Sequence, residues 1–215
     1  MYGTIIKISI REEHKVRVIA GKAKGRALKA VPGQGTRPTT DKVKEAIFSM
    51  IGPYFDGGQA LDLFAGTGGL GIEAWSRGID KVICIDKEKN SIDIIRENVR
   101  LVGAEEAIEI YRNDSARAMK ALAKRNIQFD LIFLDPPYRI VDMDAWMLQM
   151  VELDLVADDA TVVVEHDAKI HYPKILNGFE QLRTNQYGDI AVTIYRYAAE
   201  SDSISNLYSR SEKDE

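Results

Sequence analysis

The sequence predicts an α/β fold: a mostly parallel sheet with helices on both faces that ends in an antiparallel hairpin. Three observations lead there. Short apolar or β-branched runs alternate with helical patterns through the middle of the chain; a glycine-rich loop joins the first of these strands to the first of these helices; and the last strand pattern has no helix after it.

The strand runs are ALDLF at 60–64, KVICID at 81–86, IEIY at 108–111, FDLIFLD at 129–135 and TVVVEH at 161–166. Helical spacing of apolar residues falls between them, at 70–77, 91–101, 116–125 and 144–152. Alternation of this kind gives parallel strands with crossover helices, and such sheets bind ligands at the carboxyl ends of their strands. YGDIAVTIYRY at 187–197 is the late strand, placed most simply in the antiparallel hairpin. Ahead of the sheet, RVIAGKAKGRALKAV at 17–31 has strand-like ends around a Gly/Lys centre and reads as a basic β-hairpin. TRPTTDKVKEAIFSMI at 36–51 holds a helix, with Thr40 as N-cap, Asp41 complementing the dipole, and Val43, Ile47, Met50 and Ile51 on one face.

The expected organisation is an extension over 1–15, a basic hairpin and helix as an appendage over 16–52, an α/β domain over 53–198 and a disordered polar tail over 199–215. Val16 is read as the product of an alternative GTG start codon, which would put the first fifteen residues outside the natural fold.

The net charge of -4 is unevenly spread. From Val16 to Lys44 eight basic residues face Asp41 alone, giving +7 there and -11 over the rest. A basic segment on an acidic body suits nucleic acid, or is a solvated face. No apolar run is long enough to span a membrane, and no signal-peptide pattern opens the chain, so a cytoplasmic protein is expected. The single cysteine, Cys84, sits in an apolar run and reads as core; His14, His166 and His171 lack metal-ligand spacing, so no metal is expected.

LFAGTGGLGIEAW, at 63–75, contains G-x-G-x-x-G at Gly66, Gly68 and Gly71, and Asp86 follows Gly66 by twenty positions. On its own the loop suits a dinucleotide, S-adenosylmethionine or a ligand-free turn. Asp62, in the strand feeding the loop, would repel a pyrophosphate but suits a sulfonium or ammonium cation, which favours S-adenosylmethionine. Asp86 would accept from ribose hydroxyls with either cofactor.

LDPPY, at 134–138, ends the fourth strand. Pro136 and Pro137 have no N–H and present carbonyls, Asp135 adds an acceptor, and Tyr138 a stacking face. An exocyclic nucleobase amine needs two acceptors and a surface for its ring.

These stretches, with RVIAGKAKGRAL and RPTTDKVKEAIF, resemble the RsmD-type bacterial methyltransferases that modify guanine N2 in 16S ribosomal RNA; the resemblance runs from about Arg17 to Tyr197. No motif position departs from it; the N-terminal extension and the acidic tail look foreign to the family. The resemblance implies a class I, Rossmann-like methyltransferase that is a monomer acting on 16S rRNA. It implies that Asp62, Phe64, Gly66, Gly68 and Leu70 line the methionine part of the cofactor, with Asp86 on the ribose, Asn113 and Asp114 at the adenine, and Arg37 and Thr39 closing over the carboxylate. Asp135, Pro136, Pro137 and Tyr138 would be catalytic, and Arg17, Lys22, Lys24, Arg26 and Lys29 would grip RNA. An adenine-N6 methyltransferase of DNA or RNA, a protein-glutamine methyltransferase and a non-enzymatic RNA-binding protein are the alternatives. The first normally has a larger target-recognition region, the second has Asn where Asp135 stands, and the third has no use for LDPPY beside FAGTGG.

Overall fold

A computed structural model describes residues 16–31, 41–136 and 142–199. The expectations for 1–15, Arg37, Thr39, Thr40, Pro137, Tyr138 and the tail from 200 onward lie outside the described residues.

Ten strands and five helices run in the order β1 (Val16–Arg17), β2 (Ala27–Leu28), α1 (Asp41–Ile51), β3 (Gln59–Asp62), α2 (Gly69–Ser76), β4 (Lys81–Asp86), α3 (Lys89–Val102), β5 (Ile108–Arg112), α4 (Ser115–Ala123), β6 (Phe129–Leu134), α5 (Met143–Glu152), β7 (Val156–Asp167), β8 (Ile175–Leu176), β9 (Phe179–Tyr187) and β10 (Ile190–Tyr197). β3 to β10 form one sheet in the order β5-β4-β3-β6-β7-β10-β9-β8. The pairs from β5 across to β7 are parallel; β10 runs antiparallel to both β7 and β9. The expected α/β sheet with a terminal antiparallel hairpin is what forms.

Alternating residues divide between two cores, as the pleat requires. Ala60, Val82, Cys84, Leu131, Phe133 and Val163 pack under α1, α2 and α3. Leu61, Ile83, Ile132, Val162 and Val164 pack under α4 and α5. Chain order reverses between β3 and β6, whose neighbouring carboxyl ends form the crevice where such sheets bind ligands.

β8 was not expected, and three longer elements differ from expectation. β7 starts five residues early: Asp158 and Asp159 hid its beginning, and a register shift against β6 between Phe129 and Leu131, with Asp159 at φ 62°, lets the strand pass them. β9 was missed because FEQLRTNQY has no apolar alternation; most of its residues face solvent. In α1 the fully buried pair is Ile47 and Phe48, with Lys44 beside them, while Met50 and Ile51 pack half-buried at the core's rim. No helix among the described residues is long and apolar enough to cross a membrane.

Candidate cofactor and base site

The carboxyl ends of β3, β4, β6 and β7 bring four acids together. Asp62 is the last residue of β3 and lies on the α1–α3 face with Ala60. Its register partners are Cys84 on β4 and Phe133 on β6. Asp86 and Asp135 each stand two residues further along on those strands, so the pleat returns them to the same face. Glu165 follows Val164, the partner of Leu134, and shares its face with Val163. Across the sheet the order is therefore Asp86, Asp62, Asp135, Glu165, with about 4.8 Å between neighbouring strands. Asp62 is recessed by two residues and is 2% exposed.

The glycine loop arches over this row. Gly66 and Gly68 adopt φ of 54° and 76°, left-handed values that turn the chain out of β3 and into α2. Gly71 has a different role: a Cβ there would come within 2.9 Å of Cys84 Sγ and 3.0 Å of Val82 Cγ1, so its absence lets α2 settle onto β4. The Gly66 N–H donates to Asp86 Oδ2 at 2.9 Å, and the Glu88 N–H to Asp86 Oδ1 at 2.8 Å. Burial nevertheless raises the Asp86 carboxyl above the ordinary range against those hydrogen bonds.

Asp62 accepts one hydrogen bond among the described residues, from the Gly71 N–H at 3.1 Å. Burial is the main cause of its pKa of about 7, and the charges of Asp135 and Asp86 push the same way. An acid held this way favours an incoming cation. Among the described residues no group of three His, Cys, Asp or Glu is placed to hold a metal ion.

The other expected cofactor residues surround the row less uniformly. Leu70 is buried in the first turn of α2. Phe64 turns to the opposite face, its ring edge-on to Trp146 of α5 at 5.7 Å between centroids. Asn113 donates its N–H to the Asp86 carbonyl at 3.1 Å, and Asp114 Oδ1 caps α4 by accepting from the Ala116 and Arg117 N–H groups. Asp135 and Pro136 are half-buried at the mouth of the row.

The basic hairpin is real but small, with Val16 opposite Leu28 and Arg17 opposite Ala27. Its five expected RNA-gripping residues differ in availability. Lys24 and Arg26 are exposed; Lys22 is exposed too, its ammonium 4.1 Å from the Trp75 ring centre. Arg17 pairs with Asp41 at 2.8 Å, and Lys29 pairs with Glu97.

Sequence reasoning missed how this hairpin is held. Glu73, with no exposure, accepts from the Ile19 N–H at 2.8 Å, the Ala20 N–H at 2.9 Å and Arg77 Nε at 2.7 Å, and pairs with Lys44 Nζ at 3.1 Å. Burial pushes Lys44 below the ordinary lysine range, with Glu73 opposing that shift. Ser76 Oγ accepts from the Ala23 N–H at 2.9 Å and donates to the Ala20 carbonyl at 2.6 Å. The signal was present in GLGIEAW, where a glutamate interrupts an apolar helix four residues before Arg77. Glu165 was missed as a site residue for a different reason, since its neighbourhood depends on the pairing of β6 with β7.

Comparison with known proteins identifies the family and the fold. The family described as conserved hypothetical protein 95 matches residues 16–196. The chain is 47% identical over 181 residues to Bacillus subtilis YlbH, a protein named as a candidate rRNA methyltransferase, covering 84% of this chain and 98% of that one. It is 29% identical over 189 residues to the Escherichia coli ribosomal RNA small subunit methyltransferase D, covering 88% and 93%. Among solved structures, a conserved hypothetical protein from Streptococcus pyogenes superposes with TM-score 0.69 at 37% identity over 72% of this chain and 95% of that one. The Escherichia coli protein yhhF, titled as a candidate methyltransferase, gives 0.73 at 27% over 86% and 99%. The fold is the Rossmann-like fold of S-adenosylmethionine-dependent methyltransferases, and it is consistent with S-adenosylmethionine as the cofactor.

Proposed function

The chain belongs to the conserved hypothetical protein 95 family, and we propose that it transfers a methyl group from S-adenosylmethionine to the exocyclic N2 of a guanine in 16S rRNA. The observation that carries this reading is the ordered row Asp86, Asp62, Asp135, Glu165 on one face of the sheet. The relatives named for rRNA methylation support the substrate class.

S-adenosylmethionine, when bound, supplies a methyl group already activated on a sulfonium. Asp86 would accept from its ribose hydroxyls, and Asp62 would put negative charge under its cationic end. The glycine loop brings backbone close to the cofactor without side chains in the way. Asp135 then accepts a hydrogen bond from the guanine amine, with the Pro136 carbonyl as second acceptor. As the N–C bond forms and the S–C bond breaks, the amine nitrogen loses one proton, which Asp135 takes or relays to water. Holding amine, methyl and sulfur in line provides most of the acceleration.

Glu165 favours guanine over adenine. The guanine edge presents N1–H beside its amine, two donors for two neighbouring carboxylates; adenine presents an acceptor at N1, which a carboxylate repels. The target base leaves its stack to reach this position, with Tyr138 to receive it. Lys22, Lys24 and Arg26 hold the surrounding phosphates. Cytoplasmic action as a monomer completes the proposal.

The test is transfer of labelled methyl to 16S rRNA that lacks the modification, followed by nucleoside analysis. N2-methylguanosine from the wild type, with at least a hundredfold loss for Asp135→Ala at unchanged cofactor affinity, is the expected result. Label in N6-methyladenosine, in DNA or in protein, or full activity of Asp135→Ala, overturns it.

A further inference from the structure

Asn98 lies in the third turn of α3, away from the acid row, and has no exposure. Its side chain makes three hydrogen bonds to two distant segments. Oδ1 accepts from the Lys29 N–H at 2.7 Å, Nδ2 donates to the Lys29 carbonyl at 3.0 Å, and Nδ2 donates again to the Thr67 carbonyl at 2.9 Å. Lys29 directly follows β2 of the basic hairpin, and Thr67 sits between Gly66 and Gly68 at the crest of the cofactor loop. One amide thus treats Lys29 as a neighbouring strand would, donating to and accepting from the same residue, and uses its remaining N–H on the loop.

That pattern requires this side chain. A carboxylate lacks both donors, an aliphatic residue lacks everything, and glutamine is one methylene too long for a fully enclosed position. The Thr67 carbonyl belongs to the peptide whose N–H is on Gly68, so fixing it also fixes the turn between the two left-handed glycines. Beside it, Glu97 pairs with the Lys29 ammonium, and at the other end of the hairpin Glu73 holds the Ile19 and Ala20 N–H groups from α2. The hairpin is therefore tied to both α2 and α3, and the Asn98 amide hydrogen-bonds the hairpin and the loop together.

We propose that Asn98 is a positioning residue that couples the two ligands: RNA held on the hairpin steadies the cofactor loop through the amide, and cofactor in the loop steadies the hairpin for RNA. This rests on the reading of the hairpin as the RNA grip. A loop whose crest is already held loses less freedom when the cofactor arrives, so each ligand lowers the ordering cost of the other. Linkage makes the effect reciprocal: the factor by which RNA tightens cofactor binding equals the factor by which cofactor tightens RNA binding.

The experiment measures S-adenosylhomocysteine affinity by calorimetry with and without transcribed 16S rRNA, for the wild type and for Asn98→Ala. The wild type is expected to bind S-adenosylhomocysteine roughly five- to fiftyfold more tightly with RNA present, within the usual range of coupling. In Asn98→Ala that factor falls to about one, while RNA affinity without cofactor stays within about twofold of wild type, a split that simple loss of stability does not produce. Hydrogen exchange on the wild type gives a readout that needs no variant: the amides of Gly66 to Gly69 slow when RNA is added. A wild-type factor of one with RNA bound, unchanged exchange in the loop, or an Asn98→Ala protein that keeps the wild-type factor overturns the proposal. Replacing Lys22, Lys24 and Arg26 by glutamate without loss of RNA affinity instead overturns the hairpin reading on which it rests, and is seen without cofactor.

Discussion

Two acids eleven residues apart in sequence, Asp62 and Glu73, are both buried, yet the regions around them are built on opposite plans. Glu73, at the joint between hairpin and α2, has two backbone N–H groups and two cationic side chains on its two oxygens. Asp62, at the carboxyl edge of the sheet, has one N–H and two further carboxylates nearby. A buried charge with its full set of partners is an internal joint; one held among like charges stores unfavourable energy that a cationic ligand relieves. The first charge is completed within the protein; the second is the one the proposed function gives to the cationic cofactor.

The largest effect is expected from removing the completed charge. Glu73→Ala leaves Lys44 and Arg77 buried without their carboxylate, and should cost about 3–5 kcal/mol of stability, read from the urea midpoint. A loss under about 1 kcal/mol would place the hairpin joint among ordinary surface ion pairs and end the contrast.

Next comes the pH response of Asp62. Its folded pKa of about 7 lies above the unfolded value, so the folded protein holds an extra proton between about pH 4 and 7, and the associated stability is lost as pH rises through that window. The full shift corresponds to about 4 kcal/mol. Asp62→Asn should flatten this slope in ligand-free unfolding experiments between pH 5 and about 8. Cofactor binding has the opposite sense: a cation favours the ionised acid, so S-adenosylmethionine affinity should rise up to about pH 7 and level off above it, as followed by calorimetry. Equal slopes in wild type and variant would remove Asp62 from the account.

The smallest effect belongs to the hairpin surface. Glutamate at Lys22, Lys24 and Arg26 should weaken RNA binding and flatten its dependence on log salt by up to about 0.7 to 0.9 for each phosphate no longer neutralised. An unchanged slope would make these residues a solvated face.

What could be read from the sequence follows the same division. β4 is recovered to the residue and β3, β5 and β6 to within two residues at either end, because buried parallel strands are continuous apolar runs. Asp62, Asp86 and Asp135 were legible as acids ending such runs, and the crevice beneath them follows from strand order. β9 was illegible because a strand with polar residues on both faces has no period to detect. Asn98 and Glu73 were hidden for another reason: the hairpin backbone groups they hold lie 53 to 69 positions away, and nothing local in α3 or α2 marks which distant backbone they meet. Chemistry at strand ends is written locally, whereas the joint that carries the hairpin exists only after folding.

The most direct test of the central claim is a paired measurement on Asp62→Asn at about pH 8, where the native acid is mostly ionised. Unfolding without ligand gives the cost of the charge, and calorimetry gives its value to S-adenosylmethionine. Opposite signs are expected: a more stable ligand-free protein that binds S-adenosylmethionine at least tenfold more weakly. A variant that loses stability as Glu73→Ala does, or binds the cofactor as tightly as wild type, would contradict it.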